Sequence, residues 1–163
     1  MRILGIDPGI ATIGFGLLES ADNKIKLLKY GVITTPANTR LSSRLLQINE
    51  DLNELLSDCR PDAVAIEELF FNTNITTGIK VAEARGVIVL NAIKTCGSLY
   101  EYTPLQIKQA LTGNGRATKH QVQYMVKMIL GLSAVPKPDD AADALAAAIC
   151  HSNMTGSLKR EVS

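Results

Sequence analysis

Two short apolar runs, each of which ends in an acid, constrain the fold of this chain more than any other feature. Residues 3–6 (ILGI) stop at Asp7, and residues 63–66 (AVAI) stop at Glu67. A short run without polar alternation predicts a strand that is buried on both of its faces. We therefore expect two buried strands, each of which delivers an acid at its end.

The remaining patterns predict further strands and helices around these two strands. Residues 11–19 and 25–35 favour two strands joined by a turn at Asp22 and Asn23, so the chain opens with a meander of three strands. Another strand is predicted at 98–103, and helices are predicted at 40–59, 75–95, 104–111, 118–130 and 139–151. This order predicts an α/β fold with a mixed five-stranded sheet, its first three strands antiparallel, flanked by helices.

Size and composition fit one compact domain. The 163 residues are 46% hydrophobic and 20% charged, which is usual for a domain with a single core. We expect this domain to span residues 1–152 and a flexible C-terminal tail to span residues 153–163. The sequence has no apolar run of about 18 to 20 residues and no signal peptide pattern, so we expect a cytoplasmic protein that does not enter a membrane.

The cysteines and histidines suggest no metal site of their own. Cys59, Cys96 and Cys150 are scattered and lack a CxxC spacing, which favours reduced thiols over a disulfide framework or a zinc site. His120 and His151 likewise show no metal-ligand spacing, and we expect them at the surface or at helix ends.

The predicted last helix carries two acids on one face. Asp140 and Asp143 are three residues apart, and alanines occupy most positions around them. Small side chains let this helix lie close to the sheet, so the two acids would face the strand ends. Unpaired carboxylates are costly in such a place, and Mg²⁺ prefers carboxylate oxygens. We therefore expect divalent cations to neutralise these acids.

Four acids could in this way converge on a two-metal site of the kind that hydrolyses phosphodiester bonds. The four are Asp7, Glu67, Asp140 and Asp143. Taken singly, most have an ordinary explanation as a turn former, a solvated strand end or a complement to the helix dipole, and Glu68 and Asp139 are neighbouring alternatives. Asp143 fits such explanations least, because it lies within an otherwise apolar helix.

The small net charge of +1 conceals a basic surplus. Without the four proposed site acids, 17 basic residues face 12 acidic residues, an excess of +5. A nearly neutral total therefore permits a basic binding surface around an acidic metal site.

Four sequence strings together resemble a known family. Residues 3–9 (ILGIDPG), 65–68 (AIEE), 84–87 (ARGV) and 140–149 (DAADALAAAI) are similar to the bacterial Holliday junction resolvases of the RuvC family, and the likeness extends over nearly the whole chain. The resemblance implies an RNase H-like nuclease domain and a homodimer. It also implies a structure-selective endonuclease that makes paired symmetric nicks at four-way DNA junctions in recombination and repair.

The resemblance also assigns roles to individual residues. It selects Asp7, Glu67, Asp140 and Asp143 as catalytic ligands of two Mg²⁺ ions per subunit, for which Mn²⁺ could substitute. It implies DNA-binding roles for five further residues, Phe70, Lys80, Arg85, Lys108 and Lys119. Phe70 would stack on unpaired bases, and Lys108 and Lys119 would lie near the scissile phosphate. Lys80 and Arg85 would contact DNA or the dimer partner. Cleavage at a short thymine-containing sequence and assembly with the branch-migration proteins RuvA and RuvB are further implications.

The helix at 75–95 is the candidate dimer interface, because its apolar surface exceeds what one sheet could cover. A two-fold dimer would present two equivalent sites to a junction that is itself nearly two-fold.

Three other interpretations compete with a junction resolvase. The opening at residues 5–14 also resembles the phosphate loop of sugar kinases and actin-like ATPases, but those enzymes close two such domains around a nucleotide and this chain has room for one. An RNase H-like nuclease acting on RNA or on RNA–DNA hybrids would use the same acids. A non-catalytic junction-binding module is disfavoured, because clustered negative charge gains nothing in binding phosphates.

Overall fold

The fold is a mixed β-sheet with helices on both faces. The computed structural model describes residues 1–22, 24–69, 75–154 and 160–161. The strands are β1 (Arg2–Asp7), β2 (Thr12–Ala21), β3 (Lys24–Thr34), β4 (Ala63–Glu67), β5 (Leu99–Tyr102) and β6 (Arg160–Glu161). The helices are α1 (Leu41–Cys59), α2 (Ile75–Cys96), α3 (Pro104–Thr112), α4 (Lys119–Ile129) and α5 (Asp139–Asn153).

The sheet has the strand order β3-β2-β1-β4-β5-β6. Strands β1, β2 and β3 pair antiparallel, whereas β4 pairs parallel with both β1 and β5. The predicted α/β fold, with a mixed sheet of β1 to β5 whose first three strands are antiparallel, is therefore confirmed. The two-residue β6, which pairs antiparallel with β5, was not predicted. Asn23 of the predicted turn lies outside the described residues.

The two faces of the sheet carry separate cores. One core joins α1 and α2 to the sheet through side chains such as Leu52, Ile66 and Ile88. The other joins α3, α4 and α5 to the opposite face, where Tyr102 and Ala147 are buried. This arrangement confirms that β1 and β4 are covered on both faces, as their continuous apolar runs predict.

Helix α5 lies very close to the sheet because both surfaces are built from small residues. A side chain on Gly5 would collide with the backbone oxygen of Ala144, and one on Gly14 would collide with that of Asp140. All the alanines of α5 are buried. The predicted close approach of this helix is confirmed, and it brings the acids of α5 to the end of β1.

The end of α5 departs from the expected position of its histidine. His151 is 1% exposed, and its Nδ1 atom shares a hydrogen bond of 2.7 Å with the hydroxyl of Tyr102. His151 does lie near the end of the helix, but the prediction that it could be at the surface was wrong. Strand β5 and its tyrosines cover the last turn of α5. His120, in contrast, is exposed as expected.

No helix in the described part of the chain is long and apolar enough to cross a bilayer. Of the predicted C-terminal tail, residues 155–159 and 162–163 lie outside the described residues. The domain limits at 1–152 and 153–163 therefore stay a prediction.

Candidate active site

Two acids reach the same edge of the sheet from neighbouring parallel strands. Asp7 is the last residue of β1 and Glu67 is the last residue of β4. Ile6 and Ile66, which precede them, are direct partners in the β1–β4 register. Because parallel strands end at the same edge, the two carboxylates emerge side by side.

Helix α5 adds two further acids at this edge. Gly14 pairs with Asp7 across β1 and β2, and the missing side chain of Gly14 makes room for the backbone of Asp140. Asp143 follows one helical turn later and lines a cleft of about 200 Å³ that Glu67 also lines. The four acids predicted from the sequence thus gather at one place.

Burial and neighbouring negative charge raise the pKa values of Asp7, Glu67 and Asp143. The pKa of Asp7 rises from its ordinary 3.8 to about 8, first because the side chain is buried and then because of the charges of Asp143, Glu67 and Asp140. The pKa values of Glu67 and Asp143 are also raised, mainly by burial. Positive charge from protons, lysine side chains or metal ions stabilises such a cluster of carboxylates.

Two lysines lie at the rim of the acids. The Nζ atom of Lys119 is 2.9 Å from Oδ2 of Asp143, and this contact raises the pKa of Lys119. Lys119 is the first residue of α4, where a capping box between Thr118 and Gln121 fixes the start of the helix, as the predicted N-cap requires. Lys108, on α3, lines the same cleft, and its positive charge partly offsets the effect of burial by lowering the pKa of Glu67.

The donor set suits a hard divalent cation, because it consists of carboxylate oxygens. No group of three or more acids, histidines or cysteines is close enough to enclose a metal ion within residues 1–22, 24–69 and 75–154. Mutual repulsion of the carboxylates opposes their closer approach, and the ion pair with Lys119 occupies one side of Asp143. Asp7, Glu67, Asp140 and Asp143 therefore supply the oxygen donors that such a cation prefers, but their carboxylates do not enclose one among the described residues.

Comparison with known proteins assigns the chain to a family. The sequence profile of the family described as crossover junction endodeoxyribonuclease RuvC matches residues 3–151. The chain belongs to the RuvC family. A RuvC from Finegoldia magna is 55% identical over 151 residues, which cover 93% of this chain and 92% of that relative.

Solved RuvC structures share the fold over nearly the whole chain. A structure of Thermus thermophilus RuvC has a TM-score of 0.86 and 38% sequence identity, and covers 94% of both chains. Thermus thermophilus RuvC in complex with a Holliday junction substrate has a TM-score of 0.89 and 34% identity, and covers 99% of this chain and 100% of the other. The family resemblance seen in the sequence is thus confirmed, and the chain is a junction-resolving endonuclease of the RuvC family.

The residues to which the RuvC resemblance gave DNA-binding roles fall into different environments. Lys108 and Lys119 border the acidic cleft, whereas Lys80 is exposed on α2. Arg85 forms an ion pair with Glu101 of β5, and its Nε atom has no hydrogen-bond partner among the described residues. Phe70 lies outside the described residues. The DNA-binding roles of all five stay predictions.

Some charged contacts near this RuvC site were not predicted from the sequence. Glu101 precedes Tyr102, the register partner of Glu67, and binds Arg85. Asp139 lies between Lys137 and Lys119, and its pKa is lowered chiefly by the hydrogen bond from Lys137. The two-residue spacing of Lys137 and Asp139 was a usable signal, whereas Arg85 and Glu101 are 16 residues apart and nothing in the sequence links them.

Proposed function

We propose that this protein resolves four-way DNA junctions by paired symmetric nicks, using divalent cations held by Asp7, Glu67, Asp140 and Asp143. The observation that carries the proposal is the gathering of these acids at one sheet edge, where the pKa values of Asp7, Glu67 and Asp143 are raised and two lysines border the cleft. Mg²⁺ is the expected cation and Mn²⁺ the expected substitute, with two ions per subunit.

The chemistry divides between the cations and the side chains of the chain. Asp7, Glu67, Asp140 and Asp143 would hold the divalent cations, which would activate the attacking water at neutral pH and stabilise charge on the leaving oxygen of a phosphodiester. The acids orient those cations, while Lys119 and Lys108 offset the charge of the phosphate that the acids alone would repel. Phe70, Lys80 and Arg85 are proposed to make further contacts with DNA.

Symmetric nicking requires two copies of the site, and helix α2 offers a surface for the dimer. Its inner face packs on α1 and the sheet, whereas Ile79 and Leu90 on the outer face are 52% and 53% exposed. Gly86 lies between them and has no neighbouring atom within 4 Å of an added side chain, so the outer face is open. We propose that a second copy of the chain covers this face. Assembly with RuvA and RuvB in the cytoplasm is the further expectation for a member of this family.

Cleavage assays on matched substrates test the proposal. A labelled synthetic four-way junction, a linear duplex and an RNA–DNA hybrid are incubated with the protein, with and without MgCl₂. We expect cutting of the junction alone, only with MgCl₂, at symmetric positions in strands of like polarity. Asp7→Asn should abolish cutting, whereas Glu54→Gln, which removes an exposed acid of α1, should not.

Two outcomes would contradict the proposal. Equal cutting of junction and linear duplex would remove the junction selectivity, and preferential cutting of the hybrid would favour an RNase H-like nuclease that acts on RNA.

A further inference from the structure

Asp139 is an acid beside the site that the four metal-ligand positions do not include. It is the first residue of α5, and its side chain is 47% exposed. Its Oδ1 atom is 2.8 Å from the Nζ atom of Lys137, and its Oδ2 atom is 3.8 Å from the Nζ atom of Lys119. The carboxylate thus lies between two ammonium groups, each facing a different oxygen.

Lys119 is within ion-pair distance of two acids of α5. Its Nζ atom is 2.9 Å from Asp143 and 3.8 Å from Asp139. In the protein without metal, Asp143 is therefore the nearer partner. A divalent cation bound by Asp143 would repel this ammonium group, because both carry positive charge and would approach the same carboxylate. Lys119 then needs another acceptor, or it leaves the rim of the cleft.

We propose that Asp139 is a positioning residue that accepts the ammonium group of Lys119 when Asp143 binds a cation. The inference rests on the proposed function, because it assumes that Asp143 is a metal ligand. A short shift from one acid to the other keeps Lys119 at the rim, where it can meet the phosphate of the substrate. Lys137 supports this role by holding Oδ1, which leaves Oδ2 toward Lys119.

Metal binding without DNA provides the first test, with MgCl₂ as the probe and thermal unfolding as the readout. In Asp139→Asn, Lys119 loses its second carboxylate partner and competes with Mg²⁺ for Asp143. We expect the MgCl₂ concentration at half-maximal stabilisation to rise about fivefold, which is the range that an exposed ion pair contributes. The same substitution in a Lys119→Met background should change it by less than about twofold, since the competitor is absent.

Two further variants and one further assay make the result specific. Asp139→Glu restores the acceptor and should return the titration toward the wild type. Asp58→Asn makes the same substitution at another exposed acid, paired with Lys29 at 4.0 Å, and should have no effect. In junction cleavage, Asp139→Asn should lower kcat about tenfold with little change in KM, as losses beside a metal ligand commonly do.

The outcomes separate this inference from the proposed function. An equal shift of the titration in both backgrounds would mean that Asp139 acts on the cation directly, and an unchanged titration would mean that it does not act at all. Either result overturns the positioning role while a wild type that cuts junctions keeps the proposed function. A wild type that neither binds Mg²⁺ nor cuts would overturn both.

Discussion

Replacing Asp7 with asparagine should stabilise the metal-free protein, and more so as the pH rises. Burial and the charges of Asp143, Glu67 and Asp140 raise the pKa of Asp7 to about 8 in the folded protein. The unfolded chain ionises the same group near its ordinary pKa of 3.8. Ionised Asp7 therefore costs free energy only in the folded state, and the uncharged asparagine, of nearly the same shape, removes that cost.

The sign and size of the effect follow from proton binding. Between its ordinary pKa of 3.8 and about 8, Asp7 holds more proton in the folded than in the unfolded chain, so the free energy of unfolding falls as the pH rises. One pKa unit is worth about 1.4 kcal/mol, and the whole rise therefore corresponds to about 6 kcal/mol at full ionisation. Water entry and side-chain relaxation reduce such a penalty, so we expect Asp7→Asn to gain about 3 kcal/mol near pH 9 and about 1 kcal/mol near pH 5.

Urea unfolding followed by circular dichroism, in EDTA and at one protein concentration, measures this difference. Glu54→Gln is the matched control, because it removes one exposed negative charge from α1. The reasoning is refuted if Asp7→Asn is no more stable than the wild type near pH 9, or if its gain does not shrink toward pH 5. Added MgCl₂ should then stabilise the wild type more than the variant, since a cation that binds the folded state raises its stability.

Further changes test the lysine, the dimer and the buried ion pair. Lys119→Met should lower the rate of junction cleavage by about a hundredfold, because it removes a positive charge aimed at the reacting phosphate; single-turnover assays that find an unchanged rate would contradict this. Leu90→Glu should convert a dimer to monomers in light scattering while circular dichroism stays unchanged, since it adds a charge to the exposed face of α2; a dimer that persists would place the interface elsewhere. Arg85→Met should lower the free energy of unfolding by about 2 kcal/mol, because it leaves Glu101 unpaired in a largely buried position. Adding Glu101→Met should restore part of that loss in urea unfolding, and an equal or larger loss would count against the pair.

The sequence predicts the framework of the site because the relevant signals are local. The apolar runs before Asp7 and Glu67 determine two buried strands, and each acid follows its run directly. The alanines of α5 determine a helix that can lie on the sheet, and the spacing of its two acids determines that they share a face. Since neighbouring parallel strands end at one edge, these patterns alone nearly suffice to bring the acids together.

The choice among adjacent acids did not follow from local pattern. Glu67 and Glu68 both follow the apolar run of β4, and Asp139 and Asp140 both begin α5. The family resemblance selected one of each pair. The structure adds a physical difference, because Glu67 lines the cleft and Asp139 is held by Lys137 at the rim.

The partners of the charged and polar side chains were decided by tertiary structure alone. Arg85 meets Glu101 because α2 packs on β5, and His151 is buried because the last turn of α5 meets Tyr102. Lys119 faces two acids of α5 only because α4 begins beside that helix. The periodicity of apolar residues predicts which face of a helix or strand is apolar. Which charged group a side chain contacts depends on the element that packs against it. The sequence by itself therefore determined the positions of the acids at the strand ends and on α5. The packing of the helices determined which charged and polar groups lie around them.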